Sequence, residues 1–138
     1  MAQLPRGLRN NNPLNIRKSG SRWVGKITPG TDRDFEQFDT LEHGIRAAVI
    51  IIRTYITKYS CNTPSKIIAR WAPASENNTK AYISYVTQNA LLSENQPLAL
   101  SQTLAISRLL WAMAAYECGR KLDYELFRRI VCATLNRG

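Results

Sequence analysis

A carboxyl group does acid–base work near neutral pH only where its surroundings hold the proton on it, and Glu117 occupies such a place. The run from Ser101 to Cys118 carries Ile106, Leu110 and Met113 at three- and four-residue steps, and the next step along that stripe falls on Glu117. A carboxylate thus continues an apolar face. It also lies in the last turn, where free carbonyls disfavour negative charge. Desolvation of this kind can raise a Glu pKa to about 6, which keeps a proton ready for a leaving oxygen and is how glycosidases make a general acid. The alternative is a side chain rotated to solvent, or paired with Arg120 or Lys121.

The other polar candidates are less distinctive. Asp32, Asp34, Glu36 and Asp39 cluster in or beside one segment, where Asp34 or Glu36 is a candidate second carboxylate facing Glu117 and a solvated face is the competing reading. His43, the only histidine, has no Ser or Cys partner at a nucleophile spacing and reads as a capping or packing residue. No metal site is expected. Among the aromatics, Trp23 is assigned to the core. Trp71 and Tyr82 flank the polar run from Ser75 to Thr79, where both sugar contact and core packing remain open, and Tyr85 carries the same two readings.

The elements that must position these groups follow from periodicity and punctuation. The first forty residues are polar, with Gly20, Gly25, Pro29 and Gly30 between short apolar points, and predict loop plus a small β-hairpin. From Asp39 onward, Leu41, Ile45, Ala48, Val49, Ile52, Tyr55, Ile56 and Tyr59 recur at helical steps, with Asp39 and Glu42 as a capping box. Ile50 and Ile51 widen that stripe, which predicts the central core helix here. Thr63 and Pro64 open a short helix through Trp71, a second covers Thr79 to Gln88, Ser101 caps the Glu117 helix, Gly119 ends it, and Asp123 starts the last. The expected class is mainly α with a small β element: about five helices around a central one, the Glu-bearing helix near the C-terminus.

A chain of 138 residues suits one domain, 1–138, and its 44% hydrophobic and 21% charged residues are those of a packed globular protein. Its net charge of +9 points to an anionic partner, nucleic acid or bacterial envelope, without specifying chemistry. Cys61, Cys118 and Cys132 have no zinc spacing and read as free thiols. The N-terminal residues show no apolar signal region, and the longest apolar run, Leu109 to Tyr116, is too short to span a bilayer. A monomer made in the cytoplasm is expected.

Two stretches are similar to a phage-associated family of lysozyme-like proteins. One is R-G-L-R-N-N-N-P-L-N-I-R from Arg6 to Arg17, followed by Trp23, Gly25 and F-D-T-L-E-H-G-I-R-A-A from Phe38. The other is R-W-A-P-A-S-E-N-N-T-K-A-Y-I from Arg70 to Ile83, and Glu117, Cys118 and Gly119 complete the match over most of the chain. The family pattern has Pro-Gly-Asn where this chain has Pro13, Leu14 and Asn15, and Glu-Asn-Gly at residues 117 to 119. The order of parts also resembles lytic transglycosylases and glucosaminidases after circular permutation, with the Glu-x-Gly helix last instead of first.

The resemblance implies cleavage of the β-1,4 bond between N-acetylmuramic acid and N-acetylglucosamine in bacterial peptidoglycan. Glu117 takes the acid/base position, Tyr82 a substrate-contacting position and Asn15 a place along the cleft wall; Trp71 is a candidate sugar contact from its place beside the polar run, not from the resemblance. A carboxylate such as Asp34 or Glu36 that activates water would give hydrolysis. Without one, the substrate's acetamido group would give an anhydro product. No cofactor is implied. Such an enzyme is expected to reach the periplasm or wall after holin release or within a virion. Two other classes fit the same charge: a nucleic-acid-binding protein using Arg6, Arg9, Arg17, Lys18, Arg22 and Trp23, or a virion structural or wall-binding module without turnover.

Overall fold

The computed structural model describes residues 4–136. It is mainly helical: α1 (Arg6–Arg9), α2 (Leu41–Lys58), α3 (Pro64–Trp71), α4 (Thr79–Ala90), α5 (Thr103–Cys118) and α6 (Tyr124–Leu135). Five of these match the helices expected from periodicity, and α1 is an additional single turn.

The centre of the fold is α5, and this corrects the expectation that the helix from Leu41 would occupy it. Ile106, Leu109, Leu110, Ala112, Met113 and Ala114 are completely buried, so α5 buries apolar side chains over most of its circumference, the mark of a helix with neighbours on several sides. Helices α4 and α6 pack on it, α2 packs on α6, and α3 packs on α4. The extra isoleucines that suggested a central α2 have another explanation. Ile51 lines one surface hollow and Ile50 another, and both are half-buried.

Local chemistry sets most helix ends. Thr63 Oγ1 accepts from Lys66 N–H at 3.2 Å with Pro64 at the first helical position. Asp123 accepts from Glu125 N–H, and Gly119 takes the left-handed φ of +81° that ends α5. Two expected caps are displaced by a residue. Thr40, not Asp39, caps α2 by accepting from His43 N–H, while Asp39 turns to His43 Nδ1 at 2.7 Å. Gln102, not Ser101, precedes α5, and it spends its side-chain carbonyl on Ala99 N–H.

The expected hairpin is reduced, among the described residues, to two isolated antiparallel bridges, Arg17 with Phe35 and Lys26 with Phe38. Asparagines do the work that a ladder would have done. Asn12, fully buried, donates to the carbonyls of Ile16 and Glu36 and accepts from Ile16 N–H, all at 2.9 to 3.0 Å. Asn11 donates to Phe38 O, and Asn10 bridges Asp32 and Gln37. Every buried backbone group served this way avoids the cost of an unpaired dipole. The tied segment lies directly on α2 at Gly44, where a Cβ would fall 1.8 Å from Asn11 O. Only glycine admits that contact.

Candidate functional site

Glu117 sits at the C-terminal end of α5, on the wall of a groove of about 620 Å³. Its carboxyl group is neither free in solvent nor paired with Arg120 or Lys121. Asn15 Nδ2 donates to Oε1 at 3.0 Å and the Tyr82 hydroxyl donates to Oε2 at 2.9 Å. These two neutral donors, one from the N-terminal segment and one from α4, fix the plane of the carboxyl group. Asn15 holds a left-handed φ of +53°, which asparagine tolerates better than most residues. The side chain of Asn12 pins the backbone at Ile16, directly after Asn15.

Burial pushes the Glu117 carboxyl above its ordinary value; the hydrogen bonds from Asn15 and Tyr82 and the charge of Arg17 oppose that rise without cancelling it. Desolvation therefore wins, as the position on the apolar stripe of α5 requires. A protonated carboxyl keeps acceptor capacity on both oxygens, so it can retain both donors while its O–H points elsewhere. Tyr82 is itself raised well above the ordinary phenol range, first by burial and then by the neighbouring Glu117, so it stays a donor.

The remaining walls are aromatic and polar. Trp23, Phe35, Tyr55 and Trp71 line the groove together with Arg17, Glu76 and Asn77. Trp71 is half-buried, anchored by its indole N–H to Leu14 O at 3.3 Å and edge-on to Tyr55, with centroids 6.1 Å apart. Trp23, assigned to the core from sequence, packs against the core but is only partly buried and also lines the groove.

Of the site residues expected from sequence, Glu117, Asn15 and Trp71 meet at this groove. Tyr82 does not. It is 1% exposed, with its ring stacked on Tyr116 at 4.2 Å, so it positions Glu117 from behind and presents no surface for a sugar. Tyr85 packs beside Tyr116 in the same cluster.

Asp34 and Glu36, the expected second carboxylates, lie outside the groove lining. Arg6 binds Asp32 at 2.6 Å and Asp34 at 3.1 Å, and its guanidinium holds Asp32 far below the usual carboxylate range. Glu36 is 1% exposed and locked to Lys26 Nζ at 3.0 Å and to Ser19 N–H. These acids knit the N-terminal segment together. The same pairing removes Arg6 from any phosphate track.

Sequence reasoning missed Tyr55, Phe35 and above all Glu76. Glu76 lies in the loop between α3 and α4, where nothing in the local pattern separates it from an ordinary solvated acid. Cys118, next to Glu117, is buried and unpaired, its thiol pushed up by burial and directed to Arg120 O, so it is an inert neighbour. Cys61 and Cys132 are also unpaired. No helix among the described residues is long and apolar enough to cross a membrane.

No family model matches the chain. It is 48% identical over 96 residues to "Protein P5" of Pseudoalteromonas phage PM2, a stretch covering 67% of this chain and 60% of that protein. The chain therefore spans less than two thirds of the length of that relative.

Proposed function

We propose that this chain is a lysozyme-like enzyme that cuts the glycan strands of bacterial peptidoglycan, with Glu117 as general acid. One observation carries the reading: a desolvated carboxyl group, gripped by Asn15 and Tyr82, on the wall of an aromatic-lined groove. The volume of about 620 Å³ accommodates a few sugar rings. Trp71, Trp23 and Tyr55 line the groove, and aromatic side chains are the groups against which the apolar faces of pyranose rings pack.

In the reaction Glu117 gives its proton to the oxygen leaving the anomeric carbon of N-acetylmuramic acid, and the β-1,4 bond breaks as that proton arrives. Asn15 and Tyr82 keep the carboxyl group in one orientation, so little rotational freedom is lost at that moment. The net charge of +9 favours residence on an anionic wall. The phage origin of the relative supports a role in wall penetration or host lysis. The glycosidase arrangement with the acid-bearing helix last is the permuted order inferred from sequence.

The test is incubation of purified sacculi with the wild type and with Glu117→Gln. Wild type is expected to release soluble muropeptides, and Glu117→Gln to release them about 10²- to 10⁴-fold more slowly, the usual contribution of a general acid. Equal release by the two proteins, or none by the wild type, would reject the reading. In the second case a binding module without turnover would replace it.

A further inference from the structure

With Asp34 and Glu36 committed elsewhere, Glu76 is the carboxylate, besides Glu117, found among the groove's lining residues. The two differ in surroundings. Glu117 is enclosed by apolar groups and neutral donors. Glu76 has a side chain 63% exposed and lies 4.0 Å from Arg17 Nη2, a contact between the α3–α4 loop and the N-terminal segment. Arg17 is also the charge felt by Glu117, so it stands in the same groove near both.

The loop that carries Glu76 is closed on itself. Glu76 N–H donates to Pro73 O at 3.0 Å, Asn77 Nδ2 donates to the same carbonyl at 3.2 Å, and Thr79 Oγ1 donates to Ala72 O at 2.6 Å. An exposed acid on a short braced loop and a desolvated acid lining the same groove can divide the work as the base and the acid of inverting glycosidases do.

Resting on the glycosidase reading above, we propose that Glu76 is the general base that directs a water molecule at the anomeric carbon, which makes this protein an inverting hydrolase. The step balances as follows. Water oxygen bonds to C1 while the C1–O4 bond breaks; the water proton passes to Glu76, and the Glu117 proton passes to the departing oxygen. One water is consumed, Glu76 loses its proton to solvent and Glu117 regains one.

Sacculi digested by the wild type, Glu76→Gln, Glu76→Ala and Glu76→Ala with added azide supply the test, with product ends identified by mass spectrometry. Wild type is expected to leave reducing N-acetylmuramic acid ends. Glu76→Gln should slow their appearance about 10²-fold or more with an unchanged melting temperature, as expected for an exposed side chain. Azide should restore cleavage by Glu76→Ala and leave an α-glycosyl azide, which a structural defect would not produce. Anhydro ends from the wild type, or reducing ends from Glu76→Gln at the wild-type rate, would overturn the proposal while leaving Glu117 as the acid. Absence of any release by the wild type would overturn both readings.

Discussion

Replacing Tyr82 by Phe removes one oxygen atom and leaves the packing in place, because the ring is buried against Tyr116 and only the hydroxyl reaches Glu117. That hydroxyl donates to Oε2 at 2.9 Å and favours the ionised carboxylate, so its loss raises an already elevated pKa further. A hydrogen bond to a charged group contributes about 1.5–3 kcal/mol. The protonated carboxyl keeps a weaker, neutral hydrogen bond of about 0.5–1.5 kcal/mol, so only the difference of about 1 kcal/mol counts; at about 1.4 kcal/mol per pH unit, the limb of the kcat/KM profile on which activity is lost with rising pH should move up by roughly 0.7 pH unit. The plateau rate should fall at the same time, since Asn15 alone is left to orient the acid. The assay is muropeptide release from sacculi across a pH series. A limb that stays in place or moves down would refute the reasoning that Tyr82 acts through Glu117, and an unchanged plateau would refute its positioning role.

Three further outcomes follow from particular contacts. Gly44→Ala would force a methyl group to within 1.8 Å of Asn11 O, a backbone atom, so destabilisation of about 3 kcal/mol or more is expected in chemical unfolding, at or beyond the upper end of ordinary overpacking; a loss under 1 kcal/mol would show that the N-terminal segment is not docked there. Lys26→Met should cost about 3–5 kcal/mol by stranding the buried Glu36 carboxylate, and adding Glu36→Gln should recover much of it, as a double-mutant cycle would measure. Glu117→Gln should melt higher than the wild type at pH 7. A carboxyl whose folded pKa lies above its ordinary 4.5 contributes stability that is present below pH 4.5 and lost as pH rises through the folded value, so the advantage of the variant should close as pH falls to 4.5 and below.

The helices were largely readable from sequence because their ends are set by neighbours a few residues away: Thr63 with Pro64, Asp123 with Glu125, Gly119 after Cys118. Glu117 was legible for a related reason, since the stripe Ile106, Leu110, Met113 that buries it is local to one helix. Which helix stands at the centre was not, because that depends on how many neighbours surround each, and the alanines that let α4 and α6 approach α5 carry little weight in a hydrophobic pattern. The N-terminal segment looks like a hairpin in the sequence because the side-chain ties from Asn10, Asn11 and Asn12 that replace a ladder leave no period to detect. The resemblance implies substrate contact for Tyr82, whereas its buried ring reaches Glu117 through the hydroxyl alone, a placement set by the packing of α4 on α5. Glu76 escaped notice because its pairing with Arg17 joins segments far apart in the chain, and an exposed loop acid has no local signature.

The protonation state of Glu117 underlies both the acid role and its partnership with Glu76. It is measured most directly by following the side-chain carboxyl ¹³C resonance of Glu117, assigned by its disappearance in Glu117→Gln, through a pH titration of the wild type. A midpoint above the ordinary 4.5 is the predicted result. A midpoint at or below 4.5 would mean that Asn15, Tyr82 and Arg17 outweigh burial, and that Glu117 is a carboxylate at neutral pH with no proton to give.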